Sequence, residues 1–432
     1  MNKTHVLIIS YSYPPINAPS AQRPYAIAKY LDKEKYKVTV ITCGNPDSCL
    51  GFDPDFNDSL KEVSLIKIDS FYGLNFVNLK TDTHRTYFGQ VNYKIRQIVS
   101  IVINKTSIPD TAIYWYSAVI CFFKKNKNLF KDIDYVISTS PIFTNHLIGH
   151  FIKRKYPNIK WLADFRDYHY IENWKNKRHF KSFFHRKFEQ KIINCADQLC
   201  FITSSMQEIY GLNYPTHASK MNFIYNGFDQ NDLKDICIKT LNSKRIKFFY
   251  AGTFYNGARS PFDLFSLVDQ AIKAQLISPN DIEINIAGNF DEELLNKSKL
   301  FLCYPAIKIL GVLPRKTVLK KLSDSHLLWI IVANKVSHYT GVPIKFYEYL
   351  AVRRPIINFA PEHSELTKII DEMNLGVNFN NVNFSLSNEK EKFFKLINDF
   401  KEGRLNAPLK NEFPDKFSRE SQTILFEKIF SK

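Results

Sequence analysis

The sequence predicts an α/β protein of two doubly wound parallel-sheet domains, on three observations. Short, unbroken apolar runs alternate with helical stretches along nearly the whole chain. Runs without polar interruptions suit strands of a parallel sheet covered by helices on both faces. The alternation then restarts after Asn226-Gly227-Phe228, dividing the 432 residues into two parts of ordinary domain size.

The first series opens with Val6-Leu7-Ile8-Ile9, a continuous apolar run ending at the proline-rich turn Tyr13-Pro14-Pro15. A helical pattern over residues 21–31 follows, then a second apolar run over 37–42. This strand–loop–helix–strand order predicts a βαβ unit. Further strands are expected over 63–68, 135–138, 160–163, 198–202 and 222–225. The second series predicts strands over 246–251, 282–287, 307–311, 326–332 and 355–359, and helices over 263–274, 315–323 and 344–351. Residues 378–391 are polar and Asn-rich and read as a surface loop. Residues 419–432 read as a short amphipathic helix. The expected division is 1–220 for the first domain, 221–415 for the second, and 416–432 for a terminal helix packing back on the first.

Composition narrows the functional classes. Hydrophobic residues at 45% and charged residues at 23% exclude a disordered, collagenous or coiled-coil chain. Lys and Arg total 59 against 42 Asp and Glu, a formal charge of +17. That excess either favours anionic partners or reflects a coding bias toward Lys and Asn. The seven cysteines are scattered with no CxxC pair, which fits a reducing compartment better than a disulfide framework or zinc site. The opening apolar stretch is too short for a signal peptide. The longest near-apolar run, residues 113–123, is well below the ~18 residues a membrane span needs. A cytoplasmic protein is expected.

Ligands of doubly wound sheets bind at the carboxyl ends of the strands, so charged residues there are the candidates for chemistry. Four segments qualify. The loop from Tyr13 to Arg23 leads into a helix N-terminus, where a phosphate can dock with Arg23 in support; it is equally readable as an ordinary βα loop. Asp164, Arg166 and Asp167 follow the apolar strand Trp161-Leu162-Ala163. A carboxylate there can orient or deprotonate a sugar hydroxyl, or the charges can simply tie down the loop. Gly252-Thr253 opens a loop running to Arg259, in which glycine permits close backbone approach to a diphosphate. Gly341, Lys345 and Glu348 belong to a segment whose helix begins near Pro343. Lys345 and Glu348 share a helix face, where they form either a phosphate-and-ribose subsite or a surface ion pair. His146 and His150 are four apart, but the Glu of an HExxH metal motif is missing. No DxD triplet, GxSxG elbow or P-loop occurs. Residues 168–188 interleave aromatics (Trp174, Phe180, Phe183, Phe184, Phe188) with bases (Lys175, Lys177, Arg178, Lys181, Arg186, Lys187), as in a helix on an anionic membrane or a buried helix with a basic face.

Taken in order, SYSYPP with Arg23, KVTVIT, ADFRD, YNGFD, FYAGTF, INIAG and PIKFYEYLAVRRPII resemble the family 4 glycosyltransferases of GT-B fold, especially those of bacterial surface-polysaccharide assembly. The resemblance spans nearly the whole chain. It implies two Rossmann-like domains with a deep cleft between them. It also implies transfer of a sugar, with retention, from a nucleotide-sugar to a lipid-linked or growing glycan, with no cofactor, no required metal and no nucleic-acid partner. By position, Glu348 would take the ribose, Arg259 and Lys345 the diphosphate, and Gly252 and Thr253 would line it. Asp167, with Asp164 and Arg166, would stand on the acceptor side. The chain departs from the family's E-x7-E pair, because Thr340 stands eight residues before Glu348. The Gly-Gly often found in the first loop is also absent. A nucleotide-sugar epimerase of the same architecture and a non-catalytic transferase-like binding protein are the alternatives.

Overall fold

The computed structural model describes residues 3–16, 18–46, 60–70, 107–169, 180–254, 259–410 and 416–431. Two compact units emerge: Met1–Tyr225 with Gln422–Lys432, and Asn226–Ser421.

The first unit holds a seven-stranded parallel sheet: β1 (Thr4–Ile9), β2 (Tyr36–Cys43), β3 (Val63–Ile68), β4 (Tyr135–Thr139), β5 (Lys160–Phe165), β6 (Gln198–Phe201) and β7 (Met221–Phe223). The spatial order is β3-β2-β1-β4-β5-β6-β7, so the winding reverses between β1 and β4. Val6 pairs with Val38 on one side and Tyr135 on the other, and Val6 to Ile9 are fully buried. That burial on both faces is why the first strand reads as an unbroken apolar run rather than an alternating one. The apolar run 113–123 forms the helix Ile113–Lys125, and Trp115 on it donates from its indole nitrogen to the Ile68 carbonyl at 2.9 Å.

β7 joins the first sheet through Met221 and Phe223, so the first unit extends to Tyr225, beyond the expected boundary at 220. The C-terminal helix Arg419–Phe430 contributes Phe426, Ile429 and Phe430 to the same core as Val6, Ile8 and Val38. The Glu427 carboxylate accepts from the Asp32 amide at 3.0 Å, fixing that end of the chain to the loop before β2.

The second unit has a six-stranded parallel sheet: β8 (Ile246–Ala251), β9 (Ile282–Ala287), β10 (Ile307–Gly311), β11 (Leu327–Ile331), β12 (Ile356–Ala360) and β13 (Gly376–Asn380), ordered β10-β9-β8-β11-β12-β13. The winding reverses between β8 and β11. Its core is aromatic, with Phe248, Tyr250, Phe254, Phe265 and Trp329 all buried. Of the surface loop expected over 378–391, residues 381–385 are loop; the rest is the end of β13 and the first turns of the helix Leu386–Lys401. The polar residues misled because they satisfy one another within the sheet: Asn358 on β12 donates to the Asn378 side chain at 2.8 Å. The apolar anchors Phe393, Leu396 and Ile397 lie beyond the stretch that was read as loop. No helix among the described residues is long and apolar enough to cross a membrane.

Candidate functional site

In the second unit, glycines stand at the carboxyl ends of neighbouring strands. Gly252 follows β8, Gly288 follows β9 and Gly311 ends β10, so three neighbouring strands finish on glycine. The Gly252 amide donates to the Ala287 carbonyl at 2.8 Å, and the Gly288 amide to the Gly311 carbonyl at 2.7 Å. Gly252 has φ of 141° and Gly288 of 133°, backbone that side-chain-bearing residues rarely adopt. A Cβ on Gly288 would stand 2.1 Å from the Gly252 oxygen, and a Cβ on Gly252 2.6 Å from Lys345 Nζ. The glycines leave the room that this lysine occupies.

Lys345 lies in the first turn of the helix Ile344–Ala351, which opens after Pro343. Its Nζ sits 3.9 Å from the centroid of the Tyr250 ring. The ammonium is buried and has no hydrogen-bond partner among the described residues. Burial pushes it well below the usual lysine range, the Arg259 charge pushes the same way, and Glu348 opposes both. A buried ammonium with no partner is costly unless a ligand supplies one. The next residues of the helix complete the wall: the Tyr349 hydroxyl accepts from the Ala251 amide at 2.9 Å.

Glu348, partly exposed, is paired with Arg315, whose Nε lies 3.1 Å from Oε1. Arg315 opens the helix Arg315–Ser323 after β10, and its other arm meets Asp232 at 2.7 Å. Burial alone would lower the Arg315 guanidinium, but Glu348 and Asp232 hold it above its ordinary value. Arg419, nearly buried, donates to the Gly227 carbonyl at 3.1 Å, and burial depresses it despite Asp232 nearby. Thr253 is partly exposed, and its carbonyl accepts from the Tyr250 hydroxyl at 3.2 Å. Arg259 re-enters the described chain with its amide donating to the Phe254 carbonyl at 3.0 Å; the intervening 255–258 lie outside the described residues. Gly341 lies between the short helix Val336–Tyr339 and the Lys345 helix, with Ser337 O 3.1 Å from where its Cβ would be. Thr340, eight residues before Glu348, is buried and turns its hydroxyl back to the Val336 carbonyl at 2.6 Å.

The first-unit candidates are arranged differently from expectation. Asp164 is fully buried and grips Arg23 with both oxygens, at 3.0 Å each. Thr139 adds a bond to the same carboxylate at 2.9 Å, and Arg23 also donates to the Tyr225 carbonyl at 2.9 Å. The Phe426 ring stacks on the guanidinium, its centroid 5.0 Å from Arg23 Cζ. Arg23, expected to support a phosphate, is thus the counter-ion of Asp164 inside the first unit, and Asp164 is correspondingly not presented to an acceptor. Arg166 is buried too, donating to the carbonyls of Pro19 at 2.7 Å and Ser20 at 3.1 Å, which secures the start of the helix Pro19–Tyr30. Of the trio only Asp167 is exposed. His146 sits in the core, its Nδ1 2.8 Å from the Ser138 hydroxyl, and burial pushes it down to about 3. Within the basic, aromatic segment, residues 170–179 lie outside the described residues. The described remainder exposes Phe183, capped by Lys187 at 4.3 Å.

Arg315 and Asp232 were not among the candidates, and Gly288 entered only as the end of the INIAG motif. Arg315 carried a usable signal, since it follows a strand of the second series. Asp232 carried none.

Two doubly wound parallel sheets in tandem define the GT-B glycosyltransferase fold, and the chain has it. Solved structures agree over the full length. A sucrose-phosphate synthase from Thermosynechococcus elongatus gives a TM-score of 0.64 at 12% identity, covering 99% of this chain and 98% of that one. A glycosyltransferase from Rickettsia africae gives 0.61 at 13% identity, covering 100% and 98%. The catalytic domain of starch synthase IV from Arabidopsis thaliana, solved with ADP and acarbose, gives 0.60 at 11% identity, covering 100% and 99%. No family model and no curated protein matches the sequence.

Proposed function

We propose that the protein is a glycosyltransferase that binds a nucleotide-diphosphate sugar in its second unit. The carrying observation is the buried Lys345 ammonium, with no hydrogen-bond partner among the described residues, against Gly252 at the carboxyl edge of a doubly wound sheet. A diphosphate oxygen supplies the missing partner, Arg259 shares the neutralisation, and the glycines let the backbone approach. Glu348 takes the ribose hydroxyls. A starch synthase of this fold was solved with ADP, which supports a nucleotide in this role.

The reaction requires stabilisation of the departing diphosphate rather than a strong protein base. The bond from the anomeric carbon to the phosphate oxygen breaks as the acceptor oxygen bonds to that carbon on the same face. The acceptor proton passes to the leaving phosphate oxygen, so configuration is retained and no metal is needed. Asp167, the exposed carboxylate of its segment, orients the acceptor hydroxyl. A lipid-linked or growing surface glycan fits the basic, aromatic stretch ending near Phe188, which would rest on an anionic membrane.

Titration calorimetry of the full chain with UDP, GDP, ADP and their sugars tests the reading. Binding of at least one, followed by transfer to an acceptor with retained anomeric configuration by NMR, is expected. No binding across the panel, or conversion of the donor to its epimer without acceptor, would overturn it.

A further inference from the structure

Glu348 is held by a second side chain whose arrangement exceeds what a surface ion pair requires. Arg315 Nε meets Glu348 Oε1 at 3.1 Å, with no hydrogen bond to Oε2 among the described residues, while Nη1 meets Asp232 at 2.7 Å. Both carboxylates and the guanidinium are partly shielded, with side-chain exposures of 19%, 28% and 33%. Asp232 itself lies in the short turn Gln230–Leu233, where Asp229 accepts from the Asn231 amide at 3.0 Å. The guanidinium is therefore pinned at one end by a structured turn and at the other by Glu348. A free glutamate at this depth would sample several rotamers, and each would present its oxygens differently.

We propose that Arg315 is a positioning residue for the nucleoside: it fixes the Glu348 carboxylate so that Oε2 and the remaining lone pair of Oε1 meet the two hydroxyls of a ribose. This rests on the donor-site reading above. A carboxylate offers about four acceptor positions, and Arg315 takes one of them, on one oxygen. The geometry selects ribonucleotides over deoxyribonucleotides, because loss of one hydroxyl leaves a fixed acceptor unfilled. Arg315 acts through Glu348 and has no need to touch the ligand.

The test compares each ribonucleoside diphosphate (UDP, GDP, ADP) with its 2′-deoxy counterpart by titration calorimetry. The proteins are the wild type, Arg315→Met, Arg315→Lys and Asp232→Asn. The wild type should favour the best ribonucleotide about ten-fold or more. Arg315→Met should bring that ratio close to one, chiefly by weakening the ribonucleotide. Arg315→Lys, which keeps a point charge but not the fork, should recover part of it. Asp232→Asn, which loosens the tether without removing the guanidinium, should give an intermediate ratio and serves if Arg315→Met does not fold. If Arg315→Met weakens both forms equally, or leaves the ratio intact, the proposal is overturned. If the wild type binds but does not discriminate, Arg315 selects nothing and the proposal fails, while the diphosphate reading stands. If the wild type binds none of the probes, both fall.

Discussion

Replacing Lys345 by Met separates a binding lysine from a structural one, because the two roles predict opposite effects on stability. Methionine keeps the apolar stem and fills similar space. No hydrogen bond among the described residues is lost, because Nζ makes none there. The contact with the Tyr250 face goes, a loss of about 0.5–2 kcal/mol. Against this, the desolvation of a buried ammonium, several kcal/mol when unpaired, is relieved. Net stability should stay level or rise by about 1–2 kcal/mol. Diphosphate affinity should fall roughly 10- to 150-fold, the value of a charge-assisted hydrogen bond of about 1.5–3 kcal/mol. The pH dependence adds a second signature. Lys345 is lowered in the folded protein, so between that lowered value and the unfolded value near ~10.4 the unfolded chain holds more protons, and stability rises with pH. The variant should lose that rise. In the wild type, donor binding should take up a proton above the lowered value, seen as heats that differ between buffers of different ionisation enthalpy. Urea unfolding and calorimetry across pH read both. A variant clearly less stable than wild type yet binding nucleotide normally would refute the reasoning.

Gly288→Ala forces a Cβ onto the Gly252 carbonyl in positive-φ backbone, and should cost about 3 kcal/mol or more by urea unfolding. Gly252→Ala, also in positive-φ backbone, meets the flexible Lys345 side chain rather than backbone, so it should cost less stability than Gly288→Ala but weaken nucleotide binding, read by calorimetry. Asp164→Asn leaves Arg23 buried without its counter-charge and should destabilise the first unit by about 3–5 kcal/mol, visible as faster hydrogen exchange in β1, β4 and β5. His146 is lowered, so its contribution is present above ~6.5 and lost as pH falls toward 3. His146→Phe should flatten acid unfolding by up to one proton, about 1.4 kcal/mol per pH unit. Vesicles rich in anionic lipid should sediment the protein at low salt and less at high salt, and equal sedimentation with neutral vesicles would remove the electrostatic part of that reading.

The strands were legible because parallel sheets bury both faces, which leaves runs such as Val6 to Ile9 without polar breaks. The placement of two second-unit candidates was legible for a related reason: Gly252 follows a strand and Lys345 lies in the first turn of a helix, where local sequence announces the turn. Pairing between distant charges was not legible. Asp164 looks like a crevice residue until Arg23, 141 positions earlier, is brought against it. Arg315 and Glu348 lie 33 positions apart, and nothing in either neighbourhood names the other. The stretch 378–391 failed because asparagines that pair side by side on adjacent strands have the composition of a loop.

The residues that finish the first core are supplied at the far end of the chain. Phe426, Ile429 and Phe430 pack with Val6, Ile8 and Val38, although roughly 200 residues separate Tyr225 from them. On a translating ribosome, at ~5–20 residues per second, the nascent first half waits roughly 10–40 seconds for its last hydrophobic wedge, while the second half is already emerging. Such a chain exposes an unfinished apolar surface throughout that interval. Trimming a dozen residues from the terminus would make the interval permanent, damaging the half of the protein that was made first.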